Sequence, residues 1–466
     1  MLLSSMSADI GMADNDIEAN LDASLKEQAL EDVTNASPQR TSTAYLDGLR
    51  GLAALIVYFS HSIPWWYGPE GQIEHGWGYH SEHMFATFPF IRSFFTGGAA
   101  AVAIFFVLSG YVLAISPLRN LQKGSVSETR RHLVAATVRR PVRLFLPVAA
   151  ISLIFALCMQ TPFRVIRPLE WPEAQPTLVG ELLKWLQEFC WTINIFAKHG
   201  QFDHWFRYDP PAWTMAAELK GSLLVYGSVG VMSTLSTTHR LYITALFGVF
   251  LLFCYQWELA CFMSGLFLAI MDIEEFRFSL SKARGFQQIL YHCTFALGWY
   301  VLGQPHGRRE PEISYNTPGW YWATTIIPPN YYNNEFWRFW NAIGATLLVF
   351  AVLRISWIQR GLSKPILRYL GKISFSLYLL HIYVIWTVGD RISRMFGVRR
   401  QNVDTSFDNL LPIPDVGPIG LSSGLLCWQA IVLPLNLFLA TLATRRIDEP
   451  SVSFSKYLTK KCGIDK

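Results

Sequence analysis

The sequence predicts an all-α, polytopic membrane protein of about ten transmembrane helices behind a disordered N-terminal tail. Three observations carry that expectation. Hydrophobic residues make up 51% of the chain, aromatic residues 15% and charged residues only 16%, with a mean hydropathy of +0.25, a balance soluble domains of this size rarely show. Ten apolar runs are long enough, or nearly so, to cross a bilayer as helices. Lysine and arginine gather in a few connecting segments, the pattern by which membrane proteins orient.

Residues 1–42 are rich in Asp, Glu, Asn, Ser and Ala, too polar to offset the entropy of ordering, and are expected to form a disordered cytoplasmic tail. The first ten residues lack the basic start and apolar core of a cleavable signal, so the first helix is expected to target the chain. A transmembrane domain is expected over 43–450, followed by a basic cytoplasmic tail at 451–466. The runs fall near 46–66, 94–116, 142–160, 213–233, 241–256, 258–272, 286–303, 338–357, 374–390 and 420–443. The stretch from Leu241 to Met271 reads either as one tilted helix or as two broken near Gln256 and Glu258.

Arg119, Lys123, Arg130, Arg131, Arg139, Arg140 and Arg143 place the 117–143 segment in the cytosol, and Arg445, Arg446, Lys456, Lys460 and Lys461 place the C-terminus there too. An even number of crossings follows, which favours ten. Arg391, Arg394, Arg399 and Arg400 then fall, against the rule, on the outer side. The long outer segments, 67–93, 161–212, 304–337 and 391–419, are crowded with Trp, Tyr, His and Pro. Within them 178–196 has the mixed character of a helix lying in the membrane interface. The formal charge of +5 is explained by basic loops, and nothing suggests a nucleic-acid partner. Of seven cysteines, Cys158, Cys254, Cys261, Cys293 and Cys427 sit in apolar runs and read as core residues.

The stretch YLDGLRGLAALIVYFSH (45–61) sets an arginine and a histidine into an apolar helical run. At about 100° per residue Arg50 and His61 share one face, and at 1.5 Å rise they lie about 16 Å apart along the axis, one near a membrane surface and one deep in the apolar zone. Ionisable groups at such depth are costly and usually functional. The bland alternative is Arg50 neutralised by Asp47 and His61 satisfied by a carbonyl.

That stretch resembles the opening helix of the acyltransferase-3 family of integral-membrane O-acyltransferases, and four further family-like stretches follow in order. They are FFVLSGYVL (105–113), RRPVRLFLP (139–147), WTMAAELKGS (213–222) and SFSLYLLH (374–381). The resemblance, closest to a fungal-type branch, implies acyl transfer from an acyl coenzyme A, acetyl-CoA above all, to a hydroxyl. A neutral imidazole suits the task of taking the hydroxyl proton, so His61 is the expected general base. Arg50 and Glu218 complete the expected catalytic set. Glu218 either orients or charge-balances a histidine, or pairs with Lys220. Arg139, Arg140 and Arg143 are expected either to clamp the coenzyme A phosphates or to anchor topology.

Ser109 and Gly110 read as a helix-packing spot, and Ser374, Tyr378 and His381 share one helical face. His381 is expected to be a structural or acceptor-site hydrogen bonder. GLSSG (420–424) fits a nucleophile elbow in letters only, because no strand precedes it. His204 and Asp209 fit an H-x-x-x-x-D pair without companion motifs, and His75, His80 and His83 with Glu74 and Glu82 fit no zinc spacing. No metal is expected. The expected partners are the acyl-CoA donor, a hydroxyl-bearing glycan, lipid or secondary metabolite, and the lipid bilayer of an endomembrane or the plasma membrane. The rival expectation is a non-catalytic transporter or sensor on the same scaffold.

Overall fold

Each of the ten apolar runs contains a helix in the computed structural model, which describes residues 43–68, 72–165, 173–197, 206–273, 284–307, 311–332, 335–399 and 404–464. No strand occurs among the described residues, so the protein is all-α. The expected disordered tail, 1–42, lies outside them. In chain order the principal helices are α1 (Ala44–Tyr67), α2 (Gly98–Gln122), α3 (Val126–Cys158), α4 (Leu178–Thr192), α5 (Trp213–Val231), α6 (Thr237–Phe253), α7 (Trp257–Ile273), α8 (Arg284–Leu302), α9 (Arg338–Val352), α10 (Ser356–Leu362), α11 (Pro365–Val384), α12 (Ser423–Ala443) and α13 (Glu449–Lys461). Single π-helical turns carry α11 through Ile385–Gly389 into Asp390–Met395, and α12 through Thr444–Asp448 into α13.

By length and composition four stretches can cross a bilayer, Gly98–Gln122, Val126–Cys158, Pro365–Met395 and Ser423–Lys461. A fifth is added if α9 and α10, bent by 97°, form one broken span. The expectation of ten is larger because α6, α7 and α9 are only 15 to 17 residues long, and α1, α5 and α8 carry polar and charged residues among their apolar ones. The stretch from Leu241 to Met271 resolves into two helices. Between them Tyr255 takes φ 60°, a left-handed conformation unusual for a bulky residue. Its ring stands edge-on to Tyr331 at 4.7 Å, and its hydroxyl accepts from the Glu335 amide at 3.3 Å.

The helix α1 is organised against α2 on one side and α11 on the other, and α2 packs in turn on α7. Glycine makes both close crossings. A Cβ on Gly51 would stand 2.4 Å from the Gly371 nitrogen, and one on Gly371 would stand 2.1 Å from the Asp47 carbonyl oxygen. Gly110 and Gly265 do the same between α2 and α7, at 2.2 Å from the carbonyl oxygens of Phe262 and Val107. The packing spot expected at Ser109 and Gly110 is thus the glycine's work. Gly371→Ala is expected to push α1 and α11 apart and cost about 1–3 kcal/mol, read as a lower melting temperature of the purified protein. An unchanged melting temperature would mean that the crossing is loose.

Of the arginines expected on the outer side, Arg394 and Arg399 are paired with carboxylates, and Arg400 lies outside the described residues. Arg394 is fully buried between Asp390 (2.9 Å) and Asp408 (3.3 Å), and Arg399 pairs with Asp404 and Asp408, each at 2.9 Å. Arg391 donates to the backbone carbonyls of Thr387, Pro162 and Arg164. Charges held this way no longer act as free topology signals. The expected interfacial helix is α4, capped by the Thr177 hydroxyl on the Gly180 amide at 3.1 Å. Its Val179, Leu183 and Leu186 are exposed and its Glu181 is buried, so the apolar face points away from the protein. The basic residues after 450 are helical as far as Lys461, with α13 packed on α3. The cysteine expectation needs correction: Cys261 is buried, but Cys254, Cys293 and Cys427 are exposed, because these helices turn part of their apolar surface outward.

Candidate active site

The α1 and α11 crossing that begins at Gly51 and Gly371 continues along both helices to His61 and His381. Their ring centroids lie 5.1 Å apart with planes tilted by 42°. His61 is exposed. His381 is 1% exposed. Its Nδ1 lies 2.7 Å from the Tyr378 carbonyl oxygen and 3.2 Å from that of Leu377. Carbonyl oxygens only accept, so Nδ1 carries the proton and Nε2 is left as an acceptor. That Nε2 is buried without a partner.

The shared face expected for Ser374, Tyr378 and His381 is present, and all three are buried. The Tyr378 hydroxyl donates to the Pro211 carbonyl at 3.1 Å and accepts from Thr214 at 3.1 Å. The start of α5, with the Pro210–Ala212 turn before it, is thereby fixed against the histidine pair. Asp209, just ahead of that turn, is fully buried with neither carboxylate oxygen bonded, and burial holds its carboxyl well above the usual range. Its suspected partner His204 lies outside the described residues.

Glu218 pairs with neither histidine and is not bonded to Lys220. Its Oε2 accepts from Arg140 Nη2 at 2.7 Å and its Oε1 from the Ser109 hydroxyl at 2.8 Å. Arg140 Nε also donates to Ser222 at 2.9 Å. One of the expected phosphate clamps is therefore held by the expected catalytic carboxylate, in a pair whose side chains are 13% and 11% exposed. Ser109, expected to serve packing, is a hydrogen-bond donor in this group. Trp213, from the same motif as Glu218, packs with Trp257 around the Arg338 guanidinium, which lies 5.5 and 4.4 Å from their rings and pairs with Glu335 at 3.0 Å.

Arg50 stands 3.9 Å from Asp47. Arg143 is exposed, has no carboxylate within ion-pair distance among the described residues, and lies in the fields of Arg140, Arg50 and Asp448. Arg139, also part of the expected clamp, is half-buried. Arg50 lies about 16 Å below His61 along the first helix, and its field reaches Arg143 on α3. The discarded candidates are occupied structurally. Ser422 of GLSSG bonds the Tyr67 hydroxyl at 2.7 Å in the turn before α12, and His75 sits 3.5 Å from Glu82. Among the described residues no three metal-ligating side chains converge.

A family profile described as an acyltransferase domain matches residues 43–443. The chain belongs to the acyltransferase-3 family. This acyltransferase is similar to the O-acetyltransferase PaAT-1 of Phomopsis amygdali, 25% identical over 76% of this chain and 74% of that protein. It is also similar to the acyltransferase clz18 of Cochliobolus lunatus, 25% identical over 74% of this chain and 83% of the relative. No solved structure matches the acyltransferase significantly. Two features of its site escape sequence reasoning, the pairing of His61 with His381 and the capture of Arg140 by Glu218. The visible signal for the first was a histidine three residues after Tyr378 on a polar face; for the second there was none.

Proposed function

We propose that this acyltransferase moves an acyl group, acetyl above all, from acyl-CoA to a hydroxyl of a glycan, lipid or secondary metabolite, with His61 as general base. The observation that carries the reading is the His61 and His381 pair, an exposed imidazole against a buried one whose Nε2 has no partner among the described residues. The acceptor hydroxyl gives its proton to the His61 imidazole while its oxygen attacks the thioester carbonyl. The tetrahedral intermediate then collapses, the carbon–sulfur bond breaks, and the coenzyme A thiolate takes the proton back from the imidazolium. His381, with its proton fixed on the Tyr378 carbonyl, presents a lone pair that can hold the His61 N–H or the acceptor hydroxyl. The transfer needs no metal.

The donor enters beside Arg50 and Arg143, whose guanidinium groups match phosphate oxygens, and its pantetheine arm runs up α1 toward His61. That end of the bundle, with both chain termini, faces the cytosol and the number of crossings is even. The name of the O-acetyltransferase relative supports acetyl as the group transferred. The test is to supply labelled acetyl-CoA to membranes carrying the protein and to profile metabolites and glycans of a deletion strain. An ester mass that appears in the first and vanishes in the second is expected. Intact cells, or sealed vesicles with the cytosolic face inside, should protect tags at both ends from protease. No coenzyme A release and no lost ester would favour a non-catalytic scaffold, and loss of one tag alone would make the crossing number odd.

A further inference from the structure

A tyrosine whose ring is buried nearly always keeps its hydroxyl hydrogen-bonded, because a polar group left without a partner inside protein is costly. Tyr58, Tyr111, Tyr208, Tyr331, Tyr378 and Tyr383 follow that rule. Each is buried, and each hydroxyl donates to a side chain or to a backbone carbonyl. Tyr226 on α5 departs from it. The residue is 7% exposed, yet its hydroxyl has no hydrogen-bond partner among the described residues, and its oxygen lies on accessible surface. A ring packed into protein with a free hydroxyl at its open end is a donor aimed at whatever occupies that opening.

What surrounds that opening is cationic. Ser222 lies one helical turn before Tyr226 on the same face of α5 and accepts from Arg140 Nε at 2.9 Å, so this face is turned to the arginines of α3. The fields of Arg140, Arg143 and Arg139 reach the Tyr226 hydroxyl, together with that of Glu218. Glu218 already holds Arg140 at 2.7 Å. Arg143 is exposed and has no ion pair among the described residues, although Asp448, on the π-helical turn after α12, lies near enough for its field to be felt. A free hydroxyl beside an unpaired guanidinium suits a phosphate oxygen, which accepts from both at once. We infer that Tyr226 binds the acyl-CoA donor, its hydroxyl donating to a phosphate oxygen that Arg143 also holds. The inference rests on the donor reading above and adds to its cations an uncharged ligand, whose contribution depends on position and not on long-range attraction.

The test measures binding of coenzyme A to the purified full chain in detergent, beside pantetheine, which shares the thiol arm and carries no phosphate. Tyr226→Phe removes one oxygen and no hydrogen bond among the described residues, so its melting temperature should match that of the parent. Its affinity for coenzyme A should fall by about tenfold to a hundredfold, the contribution of one hydrogen bond to a charged group, while its affinity for pantetheine stays the same. The fall should be equal at low and high salt, whereas the fall caused by Arg143→Gln shrinks as salt rises. Coenzyme A affinity that is unchanged in Tyr226→Phe but weakened in Arg143→Gln would overturn the inference and leave the donor reading standing. Unchanged affinity in both variants would sink both. Equal losses for coenzyme A and pantetheine would also overturn it, and so would an effect confined to nanodiscs of anionic phospholipid, which assigns the hydroxyl to a lipid headgroup.

Discussion

Replacing His61 with alanine is expected to lower acyl transfer by about 10²–10⁴-fold while acyl-CoA still binds. The separation of the two effects follows from the geometry, because Arg50, proposed to hold the donor, lies about 16 Å away along α1. His61 is also exposed and makes no side-chain hydrogen bond among the described residues, so the smaller side chain breaks none. His381→Ala should behave differently. It removes a fully buried ring and the Nδ1 bond to the Tyr378 carbonyl, and is expected to lower both activity and melting temperature. Steady-state transfer, acyl-CoA binding and thermal unfolding of the same preparations distinguish the two. A folded His61→Ala protein that keeps more than a few per cent of activity would move the role of base to the Nε2 of His381.

The second large effect separates two arginines that look alike in RRPVRLFLP. Arg140→Gln strips Glu218 of its charged partner in a site where both side chains are mostly buried. The expected cost is about 3–5 kcal/mol, seen as lost yield and a lower melting temperature. Replacing Arg140 and Glu218 together by apolar residues of similar size should restore much of it, since the desolvation of both charges is relieved. Arg143→Gln should leave stability unchanged, because Arg143 is exposed and forms no ion pair among the described residues, yet weaken acyl-CoA binding more at low salt than at high. Unchanged affinity in Arg143→Gln would reduce that arginine to a topology anchor. A fully stable Arg140→Gln protein would show that the pair with Glu218 contributes nothing.

The placement of the candidate residues along their helices was legible because it is local. The spacing of Arg50 and His61 depends only on the geometry of one helix, and the face shared by Ser374, Tyr378 and His381 depends on another. The two-helix reading of the stretch from Leu241 to Met271 was open in the sequence, since a polar interruption at Gln256 and Glu258 fits a tilted helix as well as a break. The left-handed Tyr255 decides it, and that conformation is held by Tyr331 and Glu335 from a distant segment.

What the sequence by itself determined is therefore the helical class, the order of the helices and the polar positions along each, because hydrophobic burial and backbone hydrogen bonding in a membrane act segment by segment. The meaning of those positions was decided only in three dimensions. Arg394 looked like a topology signal and is a buried charge between two aspartates; Arg140 looked like a phosphate clamp and is the partner of Glu218. His381 looked structural until α11 crossed α1 at Gly371 and brought its ring against His61. Charge pairing and ring contact act over a few ångströms, and which residues come that close is set by glycine-lined helix crossings that no single segment contains.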